Sequence, residues 1–179
     1  MTRLFGVTHA RRYVLFRDGN TASSGVILMV ENGRDTVLQA EWAEAARKDR
    51  VRALFEAADL AVLPGAVSVK FEATAEQPHV SFVSMIAPSP DWFSGVSSVA
   101  LQEGEVWRDS ITVQLWGWDA GSDNGETHDS ENAEVQPRQS VRLLTAPQFL
   151  GEEGLKGMRR LRPIDFAGSP TLTERRVSP

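Results

Sequence analysis

Two segments of this chain place an aspartate beside a tryptophan at the end of an apolar run. Asp91 follows Pro90 and precedes Trp92, and Asp119 directly follows Trp118. Carboxylates held at strand ends by stiff prolines and bulky rings suit a hard cation such as calcium, which takes about six to eight oxygen ligands at once. The pattern therefore predicts an oxygen-ligand metal site at the end of a β-sheet.

Each aspartate also has a purely structural explanation. Aspartate often forms turns after proline, and Asp-Ala-Gly is a common turn sequence. Asp123 and Asn124 precede Gly125, where a turn and a direct or water-mediated ligand role fit equally well. The loop is not an EF-hand, because its acids do not alternate as that calcium loop requires. On the residues alone, both interpretations stay open.

Composition limits the classes of protein that the chain can be. Its 179 residues are 41% hydrophobic and 24% charged, which is typical of one globular domain. It contains no cysteine, so disulfides and thiolate metal sites are excluded. The longest apolar runs are too short to cross a bilayer, and residues 1–10 offer no signal-peptide core, so we expect neither a transmembrane segment nor a leader in this chain.

Charge is concentrated in one stretch. Residues 119–134 contain six acidic residues and no Lys or Arg, within a chain of net charge −5. This distribution argues against a nucleic-acid partner, because phosphate binding needs a basic surface. It indicates a cation-attracting face, with a solvated acidic loop as the alternative.

Periodicity predicts one helix followed by several strands. Apolar residues recur at helical spacing over residues 36–59, with a break near Lys48 and Asp49 as an alternative, and the period changes to two after Gly65. The runs interpreted as strands are residues 13–16, 26–30, 67–74, 80–86, 96–101, 110–116 and 141–145, and the first two are alternatively one strand and an irregular arm. The order predicts a mainly β protein, an antiparallel β-sandwich with one helix in its N-terminal half, as a single domain over residues 1–179. A basic segment, residues 155–179, ends the chain, and only residues 171–177 in it suit a strand.

Two long motifs resemble the signatures of the spondin domain, an extracellular module found in F-spondin, mindin and many bacterial proteins. The first motif is Val-Ser-Phe-Val-Ser-Met-Ile-Ala-Pro-Ser-Pro-Asp-Trp-Phe at residues 80–93, and the second is Trp-Asp-Ala-Gly-Ser-Asp-Asn-Gly at residues 118–125. The resemblance covers about residues 10–145. The chain departs from the animal pattern by lacking cysteines, by Gly117 where proline is usual, and by its segment after residue 146.

The resemblance implies a fold, a cofactor and a ligand set. The fold is an antiparallel β-sandwich similar to the calcium-dependent lipid-binding modules, with calcium at one end. The ligands fall on Asp91, Asp119 and the backbone carbonyl of Leu115. A strand glutamate of the family falls on Glu72, for which a solvated strand residue is an equal explanation, and Asp123 is a further candidate.

The resemblance also implies a secreted, non-catalytic binding or adhesion module with a protein or glycan partner at the metal end. Phe93 and Trp116 are candidates for contacting that partner, with core packing as the alternative. A metal-dependent hydrolase is a competing class, but no nucleophile–base pair or Gly-x-Ser-x-Gly elbow appears. A structural subunit that self-associates through edge strands or the C-terminal tail is another. The scattered histidines His9, His79 and His128 are expected to be surface residues rather than zinc ligands.

Overall fold

The computed structural model describes residues 3–59, 66–113, 115–127 and 129–144, and the backbone of two further strands at 164–166 and 173–177. The two helices are α1 (Ser24–Asn32) and α2 (Thr36–Ala46). The strands are β1 (Leu4–His9), β2 (Val51–Ala57), β3 (Val67–Phe71), β4 (His79–Met85), β5 (Trp92–Ala100), β6 (Gln102–Glu103), β7 (Val106–Trp107), β8 (Thr112–Val113), β9 (Trp116–Asp119), β10 (Arg142–Leu143), β11 (Ile164–Phe166) and β12 (Thr173–Val177).

Two antiparallel sheets form the body of the protein. The larger sheet has the strand order β10-β9-β5-β4-β1-β2, and the smaller sheet has the order β3-β12-β11-β8. β6 and β7 form a separate two-stranded ribbon. Apolar side chains of the two sheets meet in one core, where the rings of Phe55 and Phe71 stack with centroids 4.6 Å apart. The predicted mainly β, antiparallel sandwich is confirmed, and β12 falls within the residues expected to form a late strand.

Helices α1 and α2 cover the other face of the larger sheet. Their buried side chains, which include Met29 and Trp42, share a second core with Phe5, Val83 and Phe93 of the sheet. The helices approach closely, because a Cβ on Gly25 would stand 2.6 Å from the Cα of Leu38. Glycine is therefore required at that crossing.

The single helix predicted over residues 36–59 is wrong in its second half. Helix α2 ends at Ala46, Asp49 adopts a left-handed conformation with φ 52°, and residues 51–57 form β2. Val51 and Phe55 satisfy helical spacing, yet the buried positions of β2 alternate as a strand. Pairing with β1 along its whole length overrides the local pattern.

The strand predicted at residues 26–30 is also wrong, because these residues lie in α1. The run is apolar throughout, so it carries no period that separates a helix from a strand. Its ends do carry the signals of a helix: the Ser23 hydroxyl accepts the N–H of Val26 at 3.2 Å, and Gly33 ends the helix with φ 66°. Residues 13–16, the other expected early strand, have no regular structure, and the first strand is β1.

Three central strands bring the two signature segments together. β5 pairs with β4 and with β9, and Trp92 lies opposite Asp119. The backbone N–H of Ala120 then donates to the carbonyl of Asp91 at 3.2 Å. Asp91 and Asp119 therefore leave the sheet side by side at one end, as the apolar runs before them predicted.

Candidate metal-binding site

Asp91 is fully buried immediately before β5. Its Oδ2 accepts hydrogen bonds from the N–H groups of Ser122 at 2.8 Å and Asp123 at 3.1 Å, and from the Ser122 hydroxyl at 3.2 Å. Its Oδ1 is buried and has no hydrogen-bond partner among the described residues. An unpaired buried acceptor costs about 1–3 kcal/mol and more when it is charged, so a cation at Oδ1 would be stabilising.

The surroundings of Asp91 disfavour its negative charge. Burial, and after it the nearby Asp119 carboxylate, raise the pKa of its carboxyl group to about 6. The hydrogen bonds from Ser122 and Asp123 act in the opposite direction and lower the pKa. Burial wins, because these donors reach only one of the two carboxylate oxygens.

Asp119 ends β9, and both of its carboxylate oxygens have partners. Oδ1 accepts the N–H of Gly121 at 2.8 Å. Oδ2 accepts two hydrogen bonds from the Arg142 guanidinium, from Nε at 3.0 Å and from Nη2 at 2.8 Å. The side chain of Asp119 is only 2% exposed, whereas that of Arg142 is 53% exposed. A buried carboxylate is thus neutralised by a cation that reaches in from the surface.

Asp123 organises the acidic loop. Its Oδ1 accepts the N–H of Gly125 at 2.7 Å, and its Oδ2 accepts the N–H of Ala133. The side chain is buried, and its carboxylate bonds hold the loop closed across ten residues. The structure therefore shows Asp123 in a turn-forming role next to Asp91, and a ligand role for Asp123 stays a prediction.

The structure does not bring Leu115 or Glu72 to this pair. Trp116 pairs with Gly95 while Asp119 pairs with Trp92, so Leu115 lies four residues, or roughly 13 Å, along the strand from Asp119. The backbone carbonyl of Glu72 accepts the Thr8 hydroxyl at 2.7 Å.

The Thr8 hydroxyl lies at the end of the larger sheet that is opposite to Asp91. Thr8 pairs with Val80, whereas Asp91 lies beyond Met85 at the other end of β4. Five residues of strand separate these two levels, which corresponds to roughly 17 Å. Glu72 therefore takes no part in the pair formed by Asp91 and Asp119.

The residues present fit a cation in part. In the described residues, no group of three His, Asp or Glu side chains has the geometry of a metal site. Two buried aspartates do lie side by side, and one of them has an unpaired carboxylate oxygen. They could hold a hard cation through Asp91 and Asp119, and backbone carbonyls or water would complete the shell.

The aromatic residues near the site separate into packed and exposed ones. Phe93 is fully buried, and its ring packs edge-on against Phe16 with centroids 5.0 Å apart. This corrects the expectation that Phe93 could project toward a partner, because strand alternation directs it under the helices. Trp92 and Trp118 pack in the interior as expected, and Trp116 is 50% exposed.

The expectation of surface histidines is wrong for His9, which is fully buried at the end of β1. Its Nδ1 donates to the carbonyl of Ala10 at 2.9 Å, so Nε2 accepts the Ser81 hydroxyl at 2.7 Å. Its ring stacks on His79 with centroids 5.9 Å apart. Burial lowers the pKa of His9. His128 lies outside the described residues.

Sequence reasoning missed Arg142. It was part of the strand expected at residues 141–145, and nothing in its neighbourhood marked it as a partner of Asp119. The usable signal is its position directly after the acidic stretch, in a strand that must return to the sheet beside β9. Antiparallel pairing places directly opposite residues within contact, and Arg142 lies opposite Asp119.

Comparison with known proteins places this chain in a family. A family model described as Spondin_N matches residues 1–151. The chain belongs to this spondin N-terminal domain family, as its two motifs suggested.

Among the curated proteins similar to this chain are Spondin-2 and Spondin-1. Spondin-2 of Rattus norvegicus is 35% identical over 177 residues, which cover 98% of this chain and 54% of that protein. Spondin-2 of Homo sapiens is 32% identical over the same lengths. Spondin-1 of Mus musculus is 30% identical over 148 residues, which cover 80% of this chain and 18% of that protein. The chain thus spans about half the length of the Spondin-2 proteins and less than a fifth of Spondin-1.

None of the described helices has both the length and the apolar character needed to cross a membrane.

Proposed function

We propose that this chain is a calcium-binding recognition module of the extracellular adhesion type, without catalytic activity. The observation that carries the proposal is the buried, unpaired Oδ1 of Asp91 beside the second buried aspartate, Asp119. Membership of the spondin family supports the extracellular adhesion role. The ion would be held by Asp91 and Asp119.

The bound cation would supply positive charge between two carboxylates that repel each other. Backbone N–H groups of this chain hold the two carboxylates in position. Ser122 and Asp123 hold Asp91 through their N–H groups, and Gly121 holds Asp119, so both ligands are fixed by the loop that begins at Ala120. Neutralising the pair would therefore stabilise the attachment of the acidic loop to the sheet.

A non-catalytic role is supported by the one serine–histidine contact in the described residues. The Ser81 hydroxyl and the His9 ring are hydrogen-bonded as a nucleophile and a base would be. Both side chains are fully buried, on β4 and β1 of the larger sheet. Ser81 also accepts the N–H of Ser98 at 2.8 Å. Since no substrate reaches a hydroxyl so placed, the contact serves packing rather than nucleophilic catalysis.

Trp116 supplies the candidate partner contact. It lies on β9 three residues before Asp119, and half of its surface is exposed. Exposed tryptophan at a rigid strand is typical of the residues that dominate recognition energetics. The backbone at this position is held by Ser94, whose buried hydroxyl donates to the carbonyl of Trp116 at 3.0 Å. We propose a protein or glycan partner for this surface.

Calorimetry with calcium, combined with thermal unfolding, tests the metal assignment. Calcium at a hundredfold excess over its Kd should add about 2.7 kcal/mol and raise the Tm by roughly 5–10 °C. Asp91→Asn and Asp119→Asn should each remove this response. Glu131→Gln, which removes an exposed acid of the same loop, is the matched control and should keep it. Equal calcium binding by the Asp91→Asn variant and the wild type would refute the site.

Adhesion of cells to surfaces coated with the domain tests the recognition role. Trp116→Ala should reduce adhesion, and Leu54→Ala, at the exposed opposite edge of the sheet, is the matched control. To test whether adhesion needs the metal, we would use the Asp91→Asn variant instead of a chelator. Chelators also disable receptors on the cells that depend on divalent cations. Unchanged adhesion by Trp116→Ala would place the recognition surface elsewhere.

A further inference from the structure

Arg142 is the cationic partner of Asp119. Its guanidinium gives two hydrogen bonds, at 2.8 and 3.0 Å, to a single oxygen of Asp119, the Oδ2. The Oδ1 is held by the loop through Gly121. Oδ2 is therefore the oxygen of Asp119 that binds a positive charge, and its partner is Arg142.

The two partners differ sharply in exposure. The Asp119 side chain is 2% exposed, and its backbone is paired on both sides, with Trp92 and with Arg142. The Arg142 side chain is 53% exposed and comes from β10, a two-residue strand at the edge of the sheet. An arginine in this position can swing into solvent while the aspartate stays in place.

The charges are unevenly compensated. Arg142 contacts Asp119, but Asp91 has no cationic partner among the described residues, and its Oδ1 is unpaired. The pair of aspartates therefore carries two negative charges against one positive charge. A divalent cation between them would have to share Asp119 with the guanidinium or displace it.

We propose that Arg142 is a built-in counter-ion that competes with the divalent cation for Asp119 and so sets the calcium affinity of the site. This inference rests on the calcium assignment proposed above and extends it to a residue that would not itself be a ligand. In the metal-free protein the guanidinium neutralises Asp119 and keeps the end of β9 attached to β10. When the cation enters, the guanidinium moves into solvent, and β10 keeps its backbone pairing.

Two variants test the competition by calorimetry. Arg142→Gln removes the charge and should tighten calcium binding by about tenfold, within the range of roughly 5- to 150-fold usual for coupled binding events. Arg142→Lys keeps the charge but not the paired N–H donors, and its affinity should lie between those of the wild type and Arg142→Gln. Arg138→Gln removes a neighbouring cation that bonds to the Ser24 hydroxyl, and it should change the affinity by less than about twofold.

A second readout follows the arginine itself. The Nε–H resonance of Arg142 should be protected in the metal-free protein and should shift and exchange faster with water after calcium is added. Thermal unfolding in chelator should show that Arg142→Gln lowers the Tm of the metal-free form, although it binds calcium more tightly. If the role of Arg142 were merely structural, its replacement by Gln would instead lower both the Tm and the calcium affinity.

The outcomes separate the two proposals. If the wild type binds calcium and Arg142→Gln binds it equally or more weakly, the competition is refuted and the calcium assignment stands. If only Arg142→Gln shows measurable binding, the competition is supported in its strongest form. If neither protein binds calcium, both proposals fail. An unchanged Arg142 Nε–H signal in calcium-loaded protein would also refute the displacement.

Discussion

The backbone N–H of Asp123 donates to the Oδ2 of Asp91 at 3.1 Å, which ties the acidic loop to the end of the larger sheet. The contact joins residues 32 positions apart in the chain. The carboxylate of Asp123 meanwhile closes its own loop by accepting the N–H groups of Gly125 and Ala133. Asp123, the further candidate ligand, thus also anchors the acidic loop to Asp91.

Asp123→Asn should destabilise the protein by about 1–3 kcal/mol. The variant keeps one oxygen, but it places an amide NH₂ against the N–H of Ala133 or of Gly125, so that two donors face each other. Urea unfolding at pH 7 measures the change. Glu131→Gln is the matched control for the lost charge and should stay within about 0.5 kcal/mol of the wild type. Equal stability of both variants would contradict the loop-closing role.

Gly6→Ala should destabilise the fold through a clash inside the sandwich. A Cβ at Gly6 would stand 2.1 Å from the Cζ of Phe55, whose ring is stacked on Phe71. We expect a loss of about 1–3 kcal/mol, because the ring has to leave its packed position. A double-mutant cycle with Phe55→Leu checks the cause. Gly6→Ala should cost clearly less in the Phe55→Leu background, and additive effects would show that the clash is not with this ring.

Glu41→Ala should loosen the start of α1. The carboxylate of Glu41, on α2, accepts the N–H of Gly25 at 2.8 Å and the Ser23 hydroxyl at 2.6 Å. A negative charge at a helix N-terminus is favourable, and this one also bonds to the cap, so we expect a loss of about 1–2 kcal/mol. Glu44→Ala removes an exposed acid from the same helix, and it should leave the stability nearly unchanged. Chemical denaturation compares the two variants.

His9 and His79 should reduce the stability as the pH drops below about 6.5, the ordinary pKa of histidine, while Asp91, whose pKa is raised to about 6, acts in the opposite direction. Burial lowers the pKa of His9, and burial followed by the charge of Arg11 lowers that of His79. The unfolded chain therefore binds protons that the folded protein excludes, and the stability present above the unfolded pKa is lost toward the folded pKa.

His9→Gln tests the source of this pH dependence. Unfolding free energies at pH 5, 6 and 7 should show a shallower slope for the variant than for the wild type, even though the variant is less stable at pH 7. The loss at pH 7 follows from the broken bonds to Ala10 and Ser81. An unchanged slope would assign the pH dependence to other groups.

The sequence predicted β3 and β4 better than the strands that carry the site. The alternation over residues 67–74 matches the alternating burial of β3, and the apolar run at residues 80–86 matches the continuous burial of β4. β5 begins at Trp92, four residues before the strand predicted at 96–101, and β9 begins at Trp116, where the strand predicted at 110–116 ends. The residues alone placed Asp91 and Asp119 each at the end of an apolar run, and the spondin resemblance is what implied that the two share a site. The extent of α2 did not follow, since the apolar spacing from Val51 fits a helix and a strand equally well until β1 is known to lie beside it.

Polar contacts between residues far apart in the chain could not be predicted from local sequence patterns. His9 and Ser81 are 72 residues apart, and neither has a sequence neighbour that indicates burial. The same holds for Arg142, whose contact with Asp119 depends on how β10 returns to the sheet. The offset of Leu115 from Asp119 is a matter of register, which the β5–β9 pairing fixes and which composition does not specify.

The hydrogen bonds at the base of the acidic loop have a consequence for protein engineering. Three backbone bonds close the base: Gln139 to Gly121 at 2.7 Å, Val135 to Ser122 at 2.9 Å, and Asn124 to Ala133 at 3.0 Å. The chain beyond this base, around exposed Glu126 and Glu131, takes no part in these closures. A foreign peptide could be grafted there as a display loop, since exposed tips accept insertions when their anchors are independent.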